Sequence, residues 1–175
     1  VVDAYDKTIS ALSNKGMTVT VILLNDWNPN TPDLIYPGTQ KSSNAFYYMF
    51  NAETESGFEQ TKAIASFLAD HYSGSNSSYG KVSNWIIGNE INNQQWNYMG
   101  ATDLTSYVKA YQKAFRVIYT AIKSTNANDR VYFSLDYNWM NEIDGKLKYG
   151  GKQIVDSFNS IANTEGQMDW GLAYH

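Results

Sequence analysis

The chain has 175 residues, 43% hydrophobic and 17% charged, a composition that supports one globular unit with a buried core and excludes extended disorder. A formal net charge of −4 without any basic stripe argues against nucleic acid as a partner, and no apolar run approaches the ~20 residues that span a bilayer. Cysteine is absent, which removes disulfides, thiol nucleophiles and thiolate metal sites, while 14 Tyr, 5 Trp and 7 Phe form an excess that suits a sugar-stacking cleft or a tyrosine-rich core equally.

In chain order, Tyr5, Ile9 and Leu12 fall at helical spacing over residues 3–14, and Lys15-Gly16 supplies a stop. Residues 17–24 form a β-branched, apolar run, the pattern of a strand buried on both faces, and it ends in Asn25-Asp26-Trp27. Residues 28–56 lack periodicity and hold all three prolines and several aromatic rings; a structureless stretch that long inside a compact domain is usually functional. A helix is predicted over 57–72, with Phe58, Thr61, Ile64, Ala65 and Leu68 on one stripe, and His71 near its end reads as an exposed C-terminal cap. A polar connection over 74–80 leads to a second strand, predicted to end at Glu90. A long helix follows over 103–123, capped by Thr102 or Asp103. Residues 130–135 form a third strand ending in Asp136-Tyr137-Asn138-Trp139; a helix over 151–162 and a fourth strand stopping at Tyr174-His175 complete the order.

Strict α-β alternation with helical crossovers predicts an α/β fold with a parallel sheet. A closed (β/α) barrel needs eight strands and typically about 250 residues. The expectation is therefore a TIM-barrel-like half barrel, one partial domain truncated at both ends, with a small open sheet as the alternative. In a parallel sheet the strand ends gather on one face: Asn25 and Trp27, Asn89 and Glu90, Asp136 and Trp139, Tyr174 and His175. The carboxylate beside a carboxamide at Asn89-Glu90 makes Glu90 the first candidate for acid/base chemistry, the alternative being a Glu that ends a strand and meets water or a lysine. Trp85 and Trp96 are expected beside it as desolvating neighbours, and at least one of Trp27, Trp96 and Trp139 as a sugar-stacking wall; Trp85 and Trp170 lie within strands, where packing is expected. No His-Glu-x-x-His spacing, Gly-x-Gly-x-x-Gly or Walker loop, or Gly-x-Ser-x-Gly elbow occurs, so neither a metal nor a nucleotide cofactor is expected.

Gly88-Asn89-Glu90 closing an internal strand, followed two strands later by Asp169 and a strand ending Tyr174-His175, resembles the clan A glycoside hydrolases, TIM-barrel enzymes that usually retain anomeric configuration. The resemblance runs strand by strand over nearly the whole chain, from the helix before the third barrel strand to the sixth strand. It implies Glu90 as general acid/base and Asn89 on the substrate's 2-hydroxyl. The nucleophile would lie at the end of a seventh strand outside this chain, so the isolated chain is expected to turn over little substrate. It further implies a polysaccharide or oligosaccharide substrate contacted by Asn25, Trp27, Trp96, Asp136, Trp139, Tyr174 and His175, an extracellular or secreted setting, and open sheet edges prone to self-association. The alternative is a non-catalytic carbohydrate-binding or scaffold protein on the same fold.

Overall fold

The computed structural model describes residues 2–141 and 144–174. Helices and strands alternate: α1 (Val2–Ser13), β1 (Thr20–Leu23), α2 (Glu55–His71), β2 (Asn84–Ile87), α3 (Leu104–Thr125), β3 (Arg130–Leu135), α4 (Gly151–Glu165) and β4 (Trp170–Tyr174). Local chemistry sets several of the boundaries. Gly16, at φ +79°, closes α1 with its N–H on the Ser13 carbonyl at 2.9 Å. Thr54 Oγ1 accepts from Gly57 N at 3.1 Å and Asp103 Oδ1 from Ser106 N at 2.9 Å, so each caps the helix that follows it.

The four strands are all parallel and lie in the order β1-β2-β3-β4. The protein is thus α/β with alternating helices on a four-stranded parallel sheet, compatible with an arc of a (β/α) barrel. Two strands are shorter than their apolar runs. Met17 precedes the β1 ladder and is 56% exposed, and β2 stops three residues before Glu90.

Side chains alternate across the sheet. Trp85 and Ile87 of β2 and Val131, Phe133 and Leu135 of β3 are buried in the core shared with the helices. In that layer α2 packs on α3 and α3 on α4. The opposite face carries Ile22, Ile86, Tyr132 and Gly171 in register. There Ile22 is 44% exposed, and Tyr132 lies so close over Gly171 that an added Cβ would meet its ring at 2.3 Å.

The buried stripe of α2 differs from the predicted one. Gly57, Thr61, Ala65 and Ala69 are buried, whereas Ile64 is 40% exposed, because small side chains let α2 approach its neighbours closely. The segment between β1 and α2 is ordered by its own bonds. It contains a 3-10 turn at Pro32–Leu34 and an antiparallel bridge between Ile35 and Phe50, and Asn51 Nδ2 donates to the Asp33 carbonyl and to Thr54 Oγ1, both at 2.8 Å.

Candidate active site

Beyond Ile87 the chain does not run straight on. Gly88 turns at φ +75° and donates its N–H to the Leu23 carbonyl at 2.9 Å. Glu90 follows at φ +41°, the one non-glycine residue with positive φ among the described residues. A left-handed conformation costs an L-residue about 1–2 kcal/mol and persists where its surroundings over-determine it. Here they do. Ser134 of β3 takes two consecutive N–H groups: its Oγ accepts from Glu90 N at 2.8 Å and its carbonyl from Ile91 N at 2.9 Å. Helix α3 holds both flanks, with Tyr111 OH donating to the Ile87 carbonyl at 2.5 Å and Tyr107 OH to the Ile91 carbonyl at 2.6 Å. Burial, the main influence, pushes both phenols well above their ordinary range, so they remain neutral donors.

Because the strands are parallel, Asn25, Glu90, Asp136 and Tyr174 all stand at the C-terminal end of the sheet. Their side chains are engaged differently. Asn89 is half-buried and makes no side-chain hydrogen bond among the described residues. Asn25 is buried and donates Nδ2 to the Leu34 carbonyl at 2.8 Å, so its carboxamide anchors the long loop. Asp136 is 7% exposed: Oδ1 accepts from Asn92 Nδ2 at 2.5 Å and from Asn138 N at 2.9 Å, and Oδ2 from Asn138 Nδ2 at 3.0 Å. Asn92 returns the bond, its Oδ1 accepting from Asp136 N at 2.9 Å, so this carboxylate ties the loop after β2 to the loop after β3.

Trp139 packs edge-on to Tyr174 at 5.8 Å and against the start of α4, while Tyr174 OH donates to the Tyr137 carbonyl at 3.1 Å. Trp27 is half-buried, 5.1 Å from the Tyr48 ring, and lines a cleft of about 540 Å³ between β1 and α2 together with Asp26 and Leu68. Trp96 lies between Phe46 at 4.9 Å and Tyr47 at 6.2 Å. His175 lies outside the described residues.

Two expectations need correction. Trp85 does not flank Glu90: its indole N–H donates to Asp129 Oδ2 at 3.1 Å, at the opposite end of the sheet. His71 is not an exposed cap. Its side chain is 12% exposed, stacks on Tyr79 at 4.0 Å and on Phe67 at 5.3 Å, and pairs with Asp6 at 2.9 Å. The tyrosine excess serves the core in good part, since Tyr48, Tyr72, Tyr107, Tyr111 and Tyr149 are all buried. Their hydroxyls bond across the fold, as Tyr149 OH does to the carbonyls of Thr102 and Lys146, each at 2.9 Å.

Ser134 and Asn92 are the residues that sequence reasoning missed. The available signal for Ser134 was a lone small hydroxyl inside the apolar strand Arg130–Leu135, two positions before its end. Asn92 offered only its nearness to Glu90. Among the described residues no group of three or more His, Asp or Glu is placed to hold a metal ion, and no helix is long and apolar enough to cross a membrane.

The chain belongs to a family of unknown function, DUF5722, and the match spans residues 1–175. No curated protein matches it.

Proposed function

We propose that this chain forms part of the catalytic barrel of a retaining glycoside hydrolase acting on a polysaccharide or oligosaccharide, with Glu90 as general acid/base. The observation that carries the reading is the backbone of Glu90, held at φ +41° by Ser134 at the loop end of a parallel sheet. Strain of this kind collects at functional sites, and that end of a parallel β/α sheet is where such folds place their chemistry. In its acid role the Glu90 carboxyl donates a proton to the departing glycosidic oxygen; in its base role it removes one from the water that releases the sugar. Asn89, whose amide has no other engagement among the described residues, receives the 2-hydroxyl. Retention also needs a nucleophilic carboxylate about 5–5.5 Å away. Asp136 is spent on Asn92 and Asn138, so the reading assigns that role to a strand other than β1–β4.

The engagement of Asp136 also favours a second reading, a carbohydrate-binding protein without a carboxylate pair. The Glu90→Gln variant separates the two when assayed in a protein carrying the whole barrel. Gln keeps the size but gives up no proton, so natural glycosides should lose roughly 10²–10⁴-fold in rate. Activated aryl glycosides should still form the glycosyl-enzyme and then stall, and azide should restore their turnover. Oligosaccharide binding without turnover in the parent protein would leave only the binding protein, and parent-like turnover in Glu90→Gln would remove Glu90 as the acid/base.

A further inference from the structure

Two loops from different strands meet near Glu90 and bring together three aromatic rings, Phe46 exposed and the other two half-buried. Phe46 and Tyr47 come from the segment between β1 and α2, and Trp96 from the loop after β2. The loops are stitched by backbone bonds: Phe46 N donates to the Gln95 carbonyl at 2.8 Å and Tyr98 N to the Tyr47 carbonyl at 2.9 Å. Ser42 N donates to Tyr48 OH at 3.0 Å, and Tyr48 pairs with Tyr98 in a parallel bridge. The backbone that carries the rings is therefore fixed before any ligand arrives, which reduces the ordering cost of binding.

Tyr47 and Trp96 lie near parallel at 22°, and Phe46, 51% exposed, tilts beside them. With Asp26 they line a hollow of about 260 Å³. Drug-sized ligands occupy pockets of about 300–1,000 Å³, so this hollow suits a single ring. Flat aromatic faces present broad apolar area to the C–H face of a pyranose. Asp26 is the one acidic side chain in the lining, and its Oδ1 accepts from Trp27 N at 2.7 Å, leaving the other oxygen for a sugar hydroxyl. A carboxylate there repels uronic acids.

The distance to Glu90 follows from two successive turns. Asn93 N donates to the Glu90 carbonyl at 2.8 Å, and Trp96 N to the Asn93 carbonyl at 3.0 Å. Each such turn spans less than about 7 Å between its end Cα atoms, so Trp96 lies within about 14 Å of Glu90. That bound keeps the three rings within a few sugar units of Glu90, in reach of the chain whose reacting residue Glu90 would serve.

We infer that Phe46, Tyr47 and Trp96 form an aromatic subsite for a neutral glycan chain whose reacting residue lies at Glu90, an inference that rests on the acid/base reading of Glu90. The test measures retardation of the full-length protein in gels containing soluble β-glucan, xylan, mannan, galactan or polygalacturonate, with calorimetry on the corresponding hexasaccharides. At least one neutral polymer should retard the protein, and polygalacturonate should not. Trp96→Ala should weaken the hexasaccharide at least about tenfold. Trp96→Phe should recover part of that loss, and Phe46→Ala, which removes an exposed ring at little cost to folding, should weaken binding in the same direction. Absence of binding to every neutral polymer, equal binding of polygalacturonate, or unchanged affinity in Trp96→Ala and Phe46→Ala would overturn the subsite. Glu90→Gln turnover, scored alongside, keeps the two claims apart. Trp96-dependent binding without Glu90-dependent turnover supports the subsite and removes the hydrolase; Glu90-dependent turnover with Trp96-independent binding does the reverse.

Discussion

Replacing Ser134 with alanine tests the clamp on Glu90 without requiring any substrate. The hydroxyl is fully buried and accepts from Glu90 N at 2.8 Å, so its loss strips an acceptor from an N–H that the fold aims inward. Leaving such a donor unpaired costs about 1–3 kcal/mol. Part of that is recovered when Glu90 relaxes from its left-handed backbone, which itself stores about 1–2 kcal/mol. A net loss of about 1–2 kcal/mol is expected. With a urea dependence of about 2 kcal/mol per molar, the unfolding midpoint should fall by roughly 0.5–1 M. The Glu90 amide should exchange with solvent about 5–30 times faster, the factor equivalent to that free energy. Ser134→Thr keeps a hydroxyl at the same position and should restore most of the protection. An Ala variant with the parent's midpoint and an unchanged Glu90 amide would show that Ser134 does not hold the turn.

The remaining predictions concern pH and the open face of the sheet. Burial, the largest influence on the Asp6 carboxyl, opposes its ionisation, but hydrogen bonds from His71 and Tyr72 outweigh it and lower the pKa below 3.8. Its stabilising contribution is therefore whole above 3.8 and lost as pH falls through the lower folded value, so the midpoint loss in Asp6→Asn should be full at neutral pH and shrink progressively as pH falls below 3.8. At the alkaline end, burial raises Tyr72 and Tyr149 from 10.0 to about 12, so their contribution is whole below 10.0 and lost as pH rises through about 12; thermal unfolding across that window should flatten in Tyr72→Phe and Tyr149→Phe. Ile22 and Leu24, 44% and 38% exposed beside the unpaired edge of β1, should drive concentration-dependent self-association of the isolated chain, which sedimentation velocity should show reduced in Ile22→Lys.

The elements were legible because their signals are local. A continuous β-branched run marks β1, short apolar and aromatic runs mark β2–β4, an apolar stripe marks α3, and Asp103 sits where a cap belongs. The site was less legible because a polar residue at a strand end has two possible partners, a ligand or a distant loop. Asn25 and Asp136 both look like ligand-binding groups in sequence, and both are taken by the protein itself. The partner of Asp136 is Asn92, 44 residues away, and nothing near either residue announces the pair. The same holds for Tyr107 and Tyr111, whose hydroxyls reach back 16 and 24 residues to hold the chain on either side of Glu90. Composition registers such tyrosines only as an aromatic excess, which is why it could not separate a sugar cleft from a core.

The path from sheet to site runs through the face that the helices leave open. Sequential parallel strands joined by right-handed crossovers put their helices on one side, so the other side is buried only if the sheet curls toward further strands. Along that face the in-register layer is large on three strands, Ile22, Ile86 and Tyr132, with Gly171 under the Tyr132 ring. On β2, β3 and β4 the next layer toward the loop end is small, while Leu24 stands at the β1 edge: Gly88 follows Ile86 by two positions, and Ser134 pairs with Ala173. A large side chain at any of these would hold the chain after β2 away from the sheet end. Small ones let the turn at Gly88–Glu90 fold back until its N–H groups reach Ser134, which is why that serine is fully buried under a residue that stays half-exposed. The step from large to small side chains thus fixes where Glu90 stands, and Ser134 and the two tyrosines fix its backbone.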